Sequence, residues 1–558
     1  MKLETFFEKF EQLADVPNAV AKMRELVLHL AASGKLVEHC SDDEPASDLV
    51  NRIENHFELL RSRNQLRFFP LTPLEDADLP ALPRSWQWVR LGNVVVYGSP
   101  AKAESASIPA DSWLLDLEDI EKDTSRLLQR KTFRDSPSKS TKTAFEAGDV
   151  LYGKLRPYLN KVLVAEAPGY CTTEIIPIRT FGFIEPAYLC YALKRPEFLA
   201  YAVSKSYGMN LPRLGTSDAR NAAFPLPPLA EQKRIVTKAD ELMALCDRME
   251  TQQQERDTRH AALARASLAR FADAPTPANL DYLFHNSYAI APSDLRKTIL
   301  ALAVQGRLVS QDAKDEAADQ LIVRLVEDRE RIAKEQGVRL PKNVPAVDIN
   351  RIPHDIPDSW QWERIGRLAV LIDYGTSQKA NSDSANIPVY RMGNIVGGKL
   401  VEQNLKYVEP SIDDLPGLYL KTDDILFNRT NSYELVGKAG IFRGSSDTCT
   451  FASYLIRIRM PVEHLYPSFI NLAMNAPYFR QTQIEPEITQ QCGQANFNGT
   501  KLALTLVPIP PLAEQCRIVA KVDQLMALVD QLEAQFTASR ATATNLMEAI
   551  VAELTGQE

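Results

Sequence analysis

No apolar run of membrane-spanning length occurs anywhere in the 558 residues, which excludes a helical membrane span. The opening stretch from Met1 to Phe10 mixes charges of both signs and does not read as a signal peptide, so a cytoplasmic location is expected. Seven cysteines are scattered singly with no Cys-x-x-Cys pair, which argues against a zinc knuckle and against a disulfide framework. The histidines (His29, His39, His56, His260, His285, His354 and His464) show no ligand spacing, so no metal site is expected. A G-x-G-x-x-G fingerprint and an Asn-Pro-Pro-aromatic run are both missing, so methyl transfer is not encoded. Two near-misses to a phosphate loop, Gly148-x4-Gly153-Lys154 and Gly393-x4-Gly398-Lys399, continue with Leu155 and Leu400 where a magnesium-binding hydroxyl is required. Asp111, Asp116, Glu118 and Lys122 form a nuclease-like grouping on paper, but a solvated acidic face accounts for them better.

Positive charge is also short. The net charge of −8 argues against simple nucleic-acid binding, because neutralising phosphates takes Lys and Arg. Its distribution weakens the objection. From Arg84 to Phe224 there are 19 Lys/Arg against 15 Asp/Glu, and from Asp358 to Val507 there are 14 against 15. The acidity therefore lies mostly outside these two segments, called readers below.

What the sequence does have is an internal repeat. Leu26–Val37, a helical pattern running into Gly34, returns as Thr298–Val309 with Gly306. Glycine there suits a left-handed helix cap. Leu82-Pro83-Arg84-Ser85-Trp86-Gln87-Trp88 returns as Ile356-Pro357-Asp358-Ser359-Trp360-Gln361-Trp362. Pro225-Leu226-Pro227-Pro228-Leu229-Ala230-Glu231-Gln232 returns as Pro508-Ile509-Pro510-Pro511-Leu512-Ala513-Glu514-Gln515. The four tryptophans of the second block read as core anchors. Between the second and third blocks the copies share little wording. Both offer short β-branched and aromatic runs: Val94–Tyr97, Asp149–Tyr152 and Glu174–Ile178 in the first copy, Asp424–Phe427 and Ser453–Ile458 in the second. Asp149 and Asp424 read as turn formers.

A long helix follows each third block. Proline suits its first turn and Glu231 or Glu514 its positive end. Apolar residues recur at Ile235, Ala239, Leu242, Cys246 and Met249, and at Ile518, Val522, Leu525, Val529, Leu532 and Phe536, a coiled-coil seam. The first seam weakens through Gln253, Arg256 and His260, while Asp273–Asn279 reads as a linker. Two related readers held apart by stiff helices form an intramolecular pseudo-dimer suited to a split duplex site.

The paired Pro-Pro-Leu-Ala-Glu-Gln-x-x-Arg-Ile-Val runs (Pro227–Val236 and Pro510–Val519), the paired Ser-Trp-Gln-Trp blocks and the run Gly148–Leu159 resemble the specificity subunit of type I restriction–modification systems over nearly the whole chain. The resemblance implies an α+β protein in which two mixed α/β target recognition domains alternate with two spacer helices in an antiparallel coiled-coil frame. The corresponding segments are 1–83 (helical), 84–226 (first recognition domain), 227–272 (central spacer), 273–355 (linker and repeated helical segment), 356–509 (second recognition domain) and 510–558 (C-terminal spacer). It further implies double-stranded DNA as ligand, two methyltransferase subunits as partners and restriction subunits joining them. S-adenosylmethionine, ATP and magnesium would belong to those partners and no cofactor to this chain. Asp424–Asn431 departs from the Gly148–Leu159 version, as reading a different half-site requires.

Base reading uses Arg, Lys, Asn and Gln at groove edges. The candidates are Lys154, Arg156, Tyr158, Lys161, Asn210 and Arg213 in the first reader. In the second they are Asn428, Arg429, Asn431, Lys438, Gln494, Asn496 and Asn498. Ile235, Leu242, Met249, Ile518, Val522, Leu525, Val529 and Leu532 are the candidate helix residues for subunit docking. The weakly basic readers predict poor DNA binding by the isolated subunit. The competing reading is a protein adaptor with two β-rich modules on a coiled-coil frame, which predicts no salt-dependent, sequence-dependent DNA binding. A self-contained nuclease ranks third.

Overall fold

A computed structural model describes residues 18–66, 69–74, 79–98, 102–284, 290–341, 344–491 and 494–555. The chain forms two compact units, Met1–Arg256 with Ser539–Glu558, and Asp257–Ala538. Both are mixed helix and sheet, as expected.

The first unit starts with the helices Ala19–Ser33 and Ala46–Ser62. Its reader opens and closes with one strand pair, Gln87–Arg90 against Ala223–Leu226, placing Trp88 opposite Pro225. Between them lies an antiparallel sheet in the order Val96–Tyr97, Ile175–Arg179, Val150–Gly153, Val162–Val164. A five-stranded sheet adds a parallel pair, Trp113–Leu115 beside Gly169–Cys171. In the second unit Gln361–Arg364 pairs with Leu506–Ile509. Leu371–Tyr374, Leu455–Arg459, Ile425–Asn428 and Ala439–Ile441 then repeat the four-strand order, extended by two short strands. The expected strands therefore form, except that Val94 ends a short helix, Leu91–Val94, and its strand begins at Val96.

Side-chain alternation along a strand explains why the central strands are buried throughout. Val150 and Tyr152 enter the main core of the first unit, whereas Leu151 points into a second core with Trp113, Phe145 and Cys171. Ile425 and Phe427 enter the main core of the second unit and Leu426 joins Tyr390, Phe442 and Phe451. Each reader is thus a sheet with a separate hydrophobic cluster on either face.

The repeated blocks are the joints of each unit. Gly34 (φ 74°) and Gly306 (φ 68°) both lie in the left-handed region. A Cβ on either would stand 2.4 Å from Cγ of Pro83 or Pro357, so the first block packs on the second. The indole of Trp86 donates to buried Glu231 (2.9 Å) and that of Trp360 to buried Glu514 (3.0 Å), which joins the second block to the third. Gln232 accepts from the Glu185 amide and donates to the Pro227 carbonyl; Gln515 does the same with Tyr466 and Pro510. Glu231 and Glu514 stand in the first turn of their helices, as expected, and are in addition buried hydrogen-bond acceptors.

The long helices run Leu229–Asp273 and Leu512–Thr555. The first does not fail past His260, because apolar positions resume at Ala264, Leu268 and Phe271 and are covered in the core of the second unit. In the first unit Met249 shares a core with Met547, and Ala543, Ile550 and Leu554 pack on it. In each unit the beginning of one long helix and the end of the other contribute side chains to the same core.

Candidate nucleic-acid interface

In the first reader the strand Val150–Gly153 runs into a loop whose backbone turns left-handed at Arg156 (φ 50°) and Asn160 (φ 48°). A non-glycine residue holds that conformation only where its surroundings enforce it. Here the enforcement comes from a second loop. Leu155 bridges to Arg213, the Arg156 amide donates to the Pro212 carbonyl (2.7 Å), and the Leu214 amide donates to the Lys154 carbonyl (3.0 Å). The two candidate loops, far apart in sequence, therefore form one surface. Arg156, Tyr158 and Asn210 are exposed on it and Lys154 is half-buried.

Two candidates there have other work. Arg213 forks onto Glu174 at 3.1–3.2 Å, and that hydrogen bonding raises its pKa. Its charge is neutralised and it anchors the loop pair. Lys161 donates to the Leu117 carbonyl at 2.7 Å, and burial lowers its pKa. In this structure both are engaged within the reader, Arg213 by Glu174 and Lys161 by the Leu117 carbonyl.

The second reader repeats the arrangement with different residues. Thr430–Asn431 pairs with Gln494–Asn496, matching the bridge of Leu155 with Arg213. The Thr430 hydroxyl donates to the Asn496 carboxamide oxygen (2.7 Å) and the Arg429 carbonyl accepts from the Phe497 amide. Asn428 is 1% exposed and spends its amide on the Leu435 carbonyl, so it is a frame residue. Asn498 caps the short helix Gly499–Leu504 by accepting from the Lys501 amide, and Asn496 is held by Thr430. Asn431 accepts from the Ser432 amide and Lys438 is exposed. The Gln494 side chain and Gly493 lie outside the described residues.

Arg429 lies over the Tyr374 ring, 4.8 Å from its centroid, and donates to the Ser453 carbonyl. Stacking on an aromatic face preorganises a guanidinium for planar recognition. Beside it stand two exposed tyrosines that are not among the sequence candidates, Tyr374 (43%) and Tyr454 (47%), the latter accepting from the Arg429 amide through its carbonyl. The signal available was Tyr454 itself, an aromatic at an outward position beside the strand run Leu455–Ile458.

The turn aspartates are more than turn formers. Asp149 accepts from the Glu146 amide and pairs with Arg179, and Asp424 accepts from the Lys421 amide and pairs with Arg459. The nuclease-like grouping does not converge: Asp111 pairs with Arg134, Glu118 with Lys131, and Asp116 faces Lys142. Asp328 lies close to Glu463 and His464, which are distant from it in sequence, but Arg331 already bonds both carboxylates.

The helix seam faces inward. Ile235, Leu242, Met249, Ile518, Val522, Leu525 and Val529 are at most 6% exposed within the two cores, and Leu532 is partly buried there. They hold this chain together and are not open to a partner subunit. Arg24 bonds Asp247 (2.6 Å) and Glu250 (2.8 Å), and the equivalent Arg296 bonds Asp530 and Glu533 (both 2.6 Å). Only the first unit adds, among the described residues, an arginine from its reader: Arg126 meets the same two carboxylates.

The sequence profile described as type I restriction modification DNA specificity domain matches residues 86–256 and 357–538. The chain is 27% identical over 559 residues to the EcoAI specificity subunit of Escherichia coli, covering 95% of this chain and 93% of that one. It is 26% identical, with the same coverage, to the EcoEI specificity subunit from the same species. A solved chain from "Structural basis underlying complex assembly and conformational transition of the type I R-M system" matches 86% of this chain and 99% of its own, at a TM-score of 0.50 and 19% identity, which shows a shared fold.

Proposed function

The chain belongs to the type I restriction-modification DNA specificity family and serves as a DNA sequence-specificity subunit; from that premise we propose that each reader recognises one half of a split duplex target. The observation that carries this is the recurrence of one loop-pair geometry, Leu155 with Arg213 and Thr430 with Asn496, holding up different side chains. Equivalent placement directs each surface at a groove, and different side chains make the two half-sites different. The adaptor reading gives no reason for this geometry to recur, nor for the family match. The chain performs no chemistry. Two methyltransferase subunits, supplying S-adenosylmethionine chemistry, and restriction subunits, using ATP and magnesium, complete the assembly. Since the seam is internal, these partners dock on outward helix residues such as Leu263, Leu528 and Leu546, all exposed.

The test is methylation mapping of DNA from cells carrying the chain with its methyltransferase partner. A split motif altered in one half when residues 84–224 are exchanged is the expected result. An unchanged motif with an active partner rules the assignment out.

A further inference from the structure

Four of the large apolar or aromatic side chains that stand exposed on the first reader gather at one place. Tyr207 (63%), Met209 (102%) and Leu211 (43%) lie on the turn of the hairpin Ser206–Tyr207/Arg213–Leu214, and Tyr158 (45%) is on the adjoining loop. Singly exposed apolar residues need no explanation, but a contiguous group at a projecting tip does. The stem beneath the tip is rigid. Tyr207 pairs with Arg213, Arg213 forks onto Glu174, and the Pro212 carbonyl accepts from the Arg156 amide. Gly208 (φ 100°) makes the turn that lifts Met209 away, and a Cβ there would stand 3.0 Å from the Leu211 carbonyl oxygen. Arg156 stands beside the Pro212 arm of the hairpin and Lys154 and Lys205 beside its base, and none has a carboxylate partner among the described residues.

An apolar tip projecting beyond uncommitted cations matches one occupant: stacked bases between two phosphate backbones. Phosphates take the cations, and an unbranched, polarisable side chain on a stiff stem suits insertion at a base step. We propose that Met209 is a wedge that enters a base step of the half-site read by the first reader, leaving Asn210 beside the edge of the unstacked base. This rests on the reading above that the domain binds duplex DNA. The wedge makes the flexibility of that step part of the specificity, at a position where no hydrogen bond need be read. In the second reader residues 492–493, between the strands Thr489–Gln491 and Gln494–Asn496, lie outside the described residues.

The experiment uses the full chain assembled with its methyltransferase partner, on duplexes carrying the mapped target with 2-aminopurine moved step by step through the first half-site. One step brightens on binding. Met209→Ala abolishes that signal and weakens specific binding roughly tenfold, while Met209→Leu retains both. Brightening at the adenine that the partner extrudes for methylation persists in Met209→Ala, which separates the two events. Unchanged signal and affinity in Met209→Ala overturn the wedge. So does a wild-type complex that binds its target tightly with no brightening except at the methylated adenine, or a variant whose defect is loss of the partner subunit. A wild-type complex with no preference for the target overturns the DNA-reading assignment itself, and the wedge with it.

Discussion

The first reader sets Lys154, Arg156 and Tyr158 on the loop after its buried strand, with an apolar hairpin tip beside them. The second sets Arg429, Asn431 and Lys438 in the corresponding place, with Tyr374 and Tyr454 beside Arg429. Beneath both surfaces the frame is the same: a glycine under a proline, a tryptophan on a buried glutamate, an arginine on a turn aspartate. These shared contacts are buried, whereas the outward loops carry different side chains. A frame built from buried hydrogen bonds tolerates little change, because a buried group left unpaired costs far more than the bond contributes. An exposed loop carries no such penalty, so its side chains are free to differ.

The largest expected effect tests whether the frame is shared. Glu231→Ala and Glu514→Ala each leave a buried tryptophan N–H without its acceptor and should each cost about 1–3 kcal/mol. Denaturant unfolding followed by fluorescence should show similar losses in the two variants. A large loss in one alone would break the equivalence. Burial, only partly offset by the Trp360 and Gln311 hydrogen bonds, raises the pKa of Glu514. Glu514→Gln keeps an acceptor without a buried charge, and it should lose much less than Glu514→Ala at neutral pH.

Next comes the difference between the reading surfaces. Arg156→Ala should weaken binding uniformly across sequences and lower the salt slope by about 1, as loss of a phosphate contact does. Arg429→Ala, which removes a stacked guanidinium, should cost about 1–3 kcal/mol and relax the preference at one position of the second half-site. Binding assays at several salt concentrations on single-base variants of the target check both. Identical behaviour of the two variants would remove the distinction.

The smallest effect concerns Arg126, the one contact of this network that the second unit lacks among its described residues. Burial alone raises the Asp247 pKa, but hydrogen bonds from Arg24 and Arg126 outweigh it and leave it lowered; Glu250 is lowered first by Arg24 and then by Arg126. A depressed carboxylate contributes stability that is present above its unfolded pKa and lost as pH falls through the folded value. Arg126→Ala should therefore cost under about 1 kcal/mol at neutral pH, the pair being partly exposed. It should also move acid unfolding of the first unit to higher pH, which circular dichroism titration reads. An unchanged acid midpoint would show that Arg24 suffices, as Arg296 does in the second unit.

The repeat, the strands Val150–Gly153 and Ile425–Asn428, the glycine caps and the long helices were legible because each is a local pattern of period, propensity and turn chemistry. Blocks two and three were visible as words, yet their meeting through Trp86 and Glu231, 145 residues apart, was not. Among the candidate contacts, residue type identified the loops but could not separate Arg156, which faces solvent, from Lys161, whose ammonium is held by the Leu117 carbonyl. Asn428 reads like Asn431 in sequence, and only the strand's burial withdraws it from the surface. The seam followed from its 4-3 spacing, but spacing is the same whether the partner is another chain or another part of this one. By itself, then, the sequence determined two copies of one α+β unit and the loops in which the candidate contact residues gather, since these depend on neighbours along the chain. Tertiary structure alone decided which polar groups are held in the frame and which remain free to meet a base. That outcome depends on which distant backbone carbonyls and carboxylates folding brings within 3 Å, and no local pattern encodes it.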